Sequence, residues 1–111
     1  MRPTCRAFYR SLFGGELLGR CLLREMQTTV AEDPSDPHGV HYGLGIERFE
    51  DPCGVDWGHG GAIFGYETAA FWNERTGRTT VMSSNMFPRP AAADAALTAL
   101  LDGALCAPIA R

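Results

Sequence analysis

The spacing of apolar and polar positions changes twice along the chain. Between Thr4 and Gly15, Ala7, Phe8, Ser11 and Leu12 recur at helical spacing, which predicts a helix with Thr4 as N-cap and Gly14-Gly15 as its stop. "GRCLLREMQTTV" predicts a second short helix, with Cys21, Leu22, Leu23 and Met26 facing inward. The polar stretch "AEDPSDPHG" follows, and its two Asp-Pro steps exclude regular structure. From Val40 the period becomes two. Tyr42, Leu44, Ile46 and Arg48 alternate with His41, Gly43, Gly45 and Glu47 in "VHYGLGIERFE", which predicts a strand.

"DPCG" reads as a turn into a second strand, "VDWGHGG", which "AIFG" connects to a third, "YETAAFWNE". After the turn "RTG", "RTTVMSSNM" is its hairpin partner. "FPRP" breaks the pattern, and "AAADAALTALLDGALC" predicts a helix that begins at Pro90 and carries Leu97, Leu100, Leu101 and Leu105 on one side. The predicted class is α+β, with residues 1–111 as a single unit. An antiparallel meander of about four strands is packed by two short N-terminal helices and a C-terminal helix. A sheet has two faces, and three helices of this size cover little of them, so the pattern reads as part of a larger layered structure.

Composition narrows the classes of function. A chain of 111 residues has room for one small domain, and 45% apolar with 21% charged residues is ordinary for a globular protein. The net charge is −3 and the basic residues stand singly, so no basic patch points to nucleic acid as a partner. No apolar run approaches the roughly 20 residues of a membrane span, and Arg6 and Arg10 interrupt any leader-like stretch after Met1. All ten basic residues are arginine, so no step needing a lysine base or a Schiff base can run on this chain alone. The four cysteines, Cys5, Cys21, Cys53 and Cys106, are widely and irregularly spaced, which does not indicate a zinc ribbon or a redox pair. An even count permits two disulfides, but pairing is not legible from spacing, and small thiols are the expectation. His38 and His41 lie in the proline loop without a carboxylate at ligand spacing, so solvated histidines, no metal and no cofactor are expected.

The chemistry concentrates in "DWGHGGAIFGYETAAF", residues 56 to 71, where glycines flank a single imidazole at a strand end. Glycine lets another backbone approach closely, although a glycine-rich turn with a surface histidine fits the same residues. Ser83-Ser84 lies in a predicted strand without a neighbouring base and reads as ladder residues. Trp57, Phe64, Phe71 and Trp72 read as core and cleft-wall aromatics. Asp56 and Glu67 form a carboxylate pair only if they face one another, and flanking solvated residues are the plainer reading.

"YGLGI" at Tyr42 to Ile46, "WGHGGAIFGY" at Trp57 to Tyr66 and "TTVMSSN" at Thr79 to Asn85, after the "GELL…LLREM" segment, resemble a known family. It is the C-terminal part of the serine β-lactamase and penicillin-binding protein family. The branch is that of D-alanyl-D-alanine carboxypeptidases and β-lactamase-related serine hydrolases. The resemblance covers nearly the whole chain and only the last third or so of the family's domain. That family uses a Ser-x-x-Lys, a Tyr-x-Asn or Ser-x-Asn, and a Lys-Thr-Gly-like strand. The resemblance implies that His59-Gly60-Gly61 is the third of these. His59 would be a catalytic donor near a substrate carboxylate or the nucleophile's hydroxyl, and the Ala62 N–H one half of the oxyanion hole. Gly60, Gly61 and Tyr66 would line the substrate. Gly60 stands where threonine is usual. No Ser-x-x-Lys exists without lysine, and Tyr9, Tyr42 and Tyr66 are followed two places on by Ser11, Leu44 and Thr68 rather than asparagine.

The resemblance therefore implies the C-terminal portion of a hydrolase, inactive alone. The whole enzyme would act on a small peptide, β-lactam or ester by acylation of a serine carried on a missing N-terminal chain, outside the cytoplasmic membrane. Two alternatives stay open: a non-catalytic binding or interaction module that kept the cleft strand, and one half of a split enzyme.

Overall fold

The computed structural model describes residues 2–107. Helices α1 (Arg2–Phe13) and α2 (Arg20–Met26) precede strands β1 (Val30–Ala31), β2 (His41–Tyr42), β3 (Glu47–Asp51), β4 (Gly54–Ile63), β5 (Tyr66–Asn73) and β6 (Thr79–Ser84), and α3 (Ala91–Cys106) closes the order. The strands form one antiparallel sheet in sequence order. The α+β class is as expected, with six strands rather than about four.

The additional strands have identifiable causes. The second helix ends at Met26, so Val30, read as its last residue, and Ala31, read as loop, instead pair with Tyr42 and His41. The stretch from Val40 is a hairpin and not one strand: His41 pairs with Arg48 and Tyr42 with Glu47 around a turn in which Gly43 N–H donates to Ile46 O at 2.8 Å. Gly45 takes φ +75°, a value costly for any residue with a Cβ. Leu44, expected inward, sits at the tip and is exposed, with its N–H donating to Met26 O. β4 runs two residues past the expected end, to Ile63, because the turn is Phe64-Gly65, with Gly65 at φ +97°.

Thr4 lies inside α1 and does not cap it. Its C-terminus is as predicted: Glu16 N–H reaches Ser11 O and Gly15 N–H reaches Leu12 O, with Gly15 in the left-handed region, a Schellman arrangement. The inward stripe is Leu12 with half-buried Tyr9 and Phe13, whereas Phe8 faces solvent. Phe13 decides this rotation, since its ring stacks on Trp72 at 4.4 Å. In α2, Cys21 and Leu22 are exposed and only Leu23 and Met26 are partly covered. The bounds of α3 match the prediction, with Leu105 buried and Leu97 and Leu101 half-buried in a four-residue repeat that leaves Leu100 exposed.

Alternation along β5 puts Trp72 and Asn73 on opposite faces. Through Phe13, α1 packs on the Trp72 face. The Asn73 face also carries Glu67, and Arg89, just ahead of α3, is ion-paired to Glu67 and to Asp94 within that helix. The far end of α3 is tied down covalently. Cys53 and Cys106 form a disulfide with Cα atoms 5.3 Å apart, which corrects the expectation of free thiols; Cys5 and Cys21 remain free. The partners stand 53 positions apart and meet only because the β3–β4 turn lies beside the end of α3.

Among the described residues the buried apolar side chains are few: Leu12, Ile46, Trp57, Ala69 and Leu105. The accessible surface is 7503 Å², against about 6,000 Å² for a compact monomer of this mass. On the Trp72 face α1 covers one end, and His59, Gly61, Ile63, Tyr66 and Thr68 stay exposed.

Candidate active site

The central strand outruns its neighbour. β3 pairs with β4 only from Gly54 to Gly58, while β5 pairs with it from Asp56 to Ile63. From His59 to Ile63 one edge of β4 therefore has no strand beside it among the described residues, and alternate backbone N–H and C=O groups face outward. Such an edge accepts an extended backbone by main-chain hydrogen bonding.

The glycines on this strand differ in cause. A Cβ on Gly58 would lie 2.0 Å from Ala70 O and 2.8 Å from the Phe71 Cα, so the fold itself requires glycine there. Gly60 and Gly61 carry no such demand: their nearest neighbours would be Thr68 O at 3.7 Å and Thr68 Oγ1 at 3.5 Å, ordinary contacts. Neither has a positive φ. Two bare positions on an open edge are thus unexplained by packing within the chain.

At the start of the open edge stands His59, its side chain 44% exposed. Its Nε2 lies 3.0 Å from Tyr42 Oη, and its Nδ1 lies 2.5 Å from Gly60 O and 3.5 Å from Glu47 Oε1. Tyr42 and Glu47 are cross-strand partners in the β2–β3 hairpin, which delivers both to the imidazole. Sequence reasoning missed this trio, because reading residues 40–50 as one strand places Tyr42 and Glu47 on opposite faces. The turn glycines 43 and 45 were the available signal.

The other expected residues disperse. Ala62 lies on the open edge, paired with Glu67 across β5. Tyr66 opens β5 opposite Ile63, at the far end of the edge and about 13 Å of strand from His59, and is exposed. Phe64 is at the hairpin tip, 89% exposed, so it is no core aromatic, whereas Trp57 is buried with its Nε1 donating to Glu74 at 2.7 Å. Phe71 packs edge-on to Phe49. Asp56 and Glu67 do not meet as a catalytic pair: Glu67 binds Arg89, and Asp56 is wholly buried beside Asn73. Ser84 Oγ bonds the backbone of Met86, and both serines stay in β6. His41 Nε2 contacts Pro37 O. Among the described residues the cluster with three metal-ligand side chains is Asp51, Cys53 and Cys106, two of which are spent in the disulfide.

A second polar cluster lies away from the edge. Burial pushes the Asp56 carboxyl up to about 7; the Asn73 amide offsets part of this, and the neighbouring Asp51 and Asp102 carboxyls add to it. Asp102 is itself raised by burial and by Asp51.

Comparison with known proteins bears on the fold. No family model matches the chain. Among solved structures it is similar to a D-stereospecific amidohydrolase from Streptomyces sp., with 39% identity over 73% of this chain and a TM-score of 0.65. That protein belongs to the penicillin-binding protein and β-lactamase serine hydrolase superfamily. The chain spans 24% of the amidohydrolase's length, so the likeness concerns about a quarter of that molecule. A hydrolase-like α+β fold is shared.

Proposed function

We propose that this chain forms one part of the active site of a β-lactamase-related serine hydrolase. It contributes the His59-Gly60-Gly61 strand and, through the Ala62 N–H, half of an oxyanion hole. The open edge of β4 carries this reading, since it places an imidazole, two bare glycines and unpaired backbone groups in line where no neighbouring strand competes for them. An acyl group laid along that edge would have its developing oxyanion met by a fixed backbone donor, the arrangement that stabilises tetrahedral intermediates. The nucleophile and its base come from polypeptide outside these residues, because the chain has no lysine. The large exposed surface of the His59 face is where such polypeptide would pack. By this reading the parent cleaves a D-configured peptide, a β-lactam or a small ester through an acyl-serine, and the isolated chain is inert.

A graft tests it. This chain replaces the matching quarter of the Streptomyces amidohydrolase, and amide hydrolysis by the purified chimera is followed together with that of His59→Ala and Gly61→Val forms. The expected result is hydrolysis by the chimera and loss of about 100-fold or more in each variant. A folded chimera without hydrolysis, or one indifferent to both substitutions, overturns the proposal.

A further inference from the structure

The hydrogen bonds of His59 leave it nothing to offer an anion. A carbonyl oxygen carries only lone pairs, so the contact of Nδ1 with Gly60 O puts the ring proton on Nδ1. In the neutral ring Nε2 is then an acceptor, and the Tyr42 hydroxyl is the donor that fills it at 3.0 Å. Both ring nitrogens are therefore committed. The Glu47 carboxylate, 3.5 Å from Nδ1, brings negative charge to the same place. Gly60 and Gly61 add no donor side chain. The neighbouring cation, Arg48, is held by Glu50 at 2.9 Å and lies over the Trp57 ring. Among the described residues the carboxylate set against His59 is Glu47, so a carboxylate arriving at this end of the edge would meet like charge, which is unfavourable.

We propose that this end of the open edge selects an uncharged acyl group, an amide or ester with no free carboxylate beside the bond to be broken. Tyr42 is the positioning residue that occupies Nε2, while the ring proton on Nδ1 faces Gly60 O. What the edge binds rests on the hydrolase reading above; the protonation pattern of His59 does not.

The test is nitrogen-15 NMR of the histidine side chains in the full chain at neutral pH, titrated in parallel with N-acetyl-D-alaninamide and N-acetyl-D-alanine. Expected are a proton on Nδ1, a hydrogen-bonded acceptor signal from Nε2, and a saturable shift of the His59 signals with the amide. The carboxylate should bind about tenfold or more weakly, the size of one unfavourable charge contact. In Tyr42→Phe the Nε2 signal moves to that of a bare acceptor, and in Glu47→Gln the preference for the amide shrinks. The wild-type spectrum decides the matter even if Tyr42→Phe fails to fold. A proton on Nε2, no response to the amide, or a response to the carboxylate as strong as to the amide overturns the inference. An active chimera with His59 protonated on Nε2 would sink this inference alone. An inert chimera with the Nδ1 proton and amide preference intact would sink only the hydrolase reading.

Discussion

Asn73 Nδ2 donates to Asp56 Oδ1 at 2.7 Å in a place where neither residue has any exposed surface. The amide satisfies one carboxylate oxygen; Oδ2 has no partner of its own except the Asp51 carboxyl, whose Oδ2 is likewise buried and unpaired. Two acceptors that face each other away from water need a proton between them. The raised Asp56 value, about 7 against an ordinary 3.8, follows first from burial and then from this meeting with Asp51.

Stability should therefore fall as the pH rises. The folded chain holds this proton more tightly than the unfolded one, so the contribution is complete below about pH 4 and is lost as the pH climbs through 7. Urea midpoints at pH 4.5 and 8 check it: the wild type should be more resistant at the lower pH, and Asp56→Asn should remove most of the difference. Equal midpoints in the wild type would contradict the shared proton.

Reducing the Cys53–Cys106 bond should cost about 4 kcal/mol, from the loop-closure entropy of a 53-residue separation. Denaturant unfolding with and without a dithiol, and of the Cys53→Ser/Cys106→Ser double variant, measures it. The two routes should agree.

Alanine at Gly58 should destabilise by roughly 2 kcal/mol or more, because its Cβ would overlap the Ala70 carbonyl and the Phe71 backbone. Alanine at Gly61 should change stability by less than about 1 kcal/mol, since the site has room. Thermal melts of both variants separate a glycine that the fold requires from one that it does not.

Arg89→Ala should cost about 3 kcal/mol. The Arg89 side chain is 6% exposed and joins Glu67 on β5 to Asp94 on α3, with a further bond to Met86 O, so its removal leaves a half-buried carboxylate without its cation. Loss of α3 docking should appear in hydrogen exchange first over residues 91–106.

Long, periodic elements were legible in the sequence. The final helix and the β5–β6 hairpin follow from the leucine repeat, the "RTG" turn and the runs of Thr, Val and aromatic residues around it. Residues 40–50 were not legible, because a tight hairpin and a strand share an alternating pattern when the turn is itself glycine, leucine, glycine. That misreading hid Tyr42 and Glu47 from the candidate site, since their meeting with His59 depends on the fold-back at Gly45. The disulfide was hidden for a related reason: nothing local to Cys53 or Cys106 reports a partner 53 positions away. His59 itself was found through its setting among glycines, yet nothing in the sequence set Gly58, the one glycine of the three that packing demands, apart from Gly60 and Gly61.

The Cys53–Cys106 bond closes a covalent ring that contains β4, β5, β6 and α3, and so the entire open edge. The ring leaves α1, α2 and the first three strands outside. A protease that cuts at the exposed Phe64 hairpin tip thus separates nothing: the two pieces stay joined, and a non-reducing gel still shows one band where a reducing gel shows two.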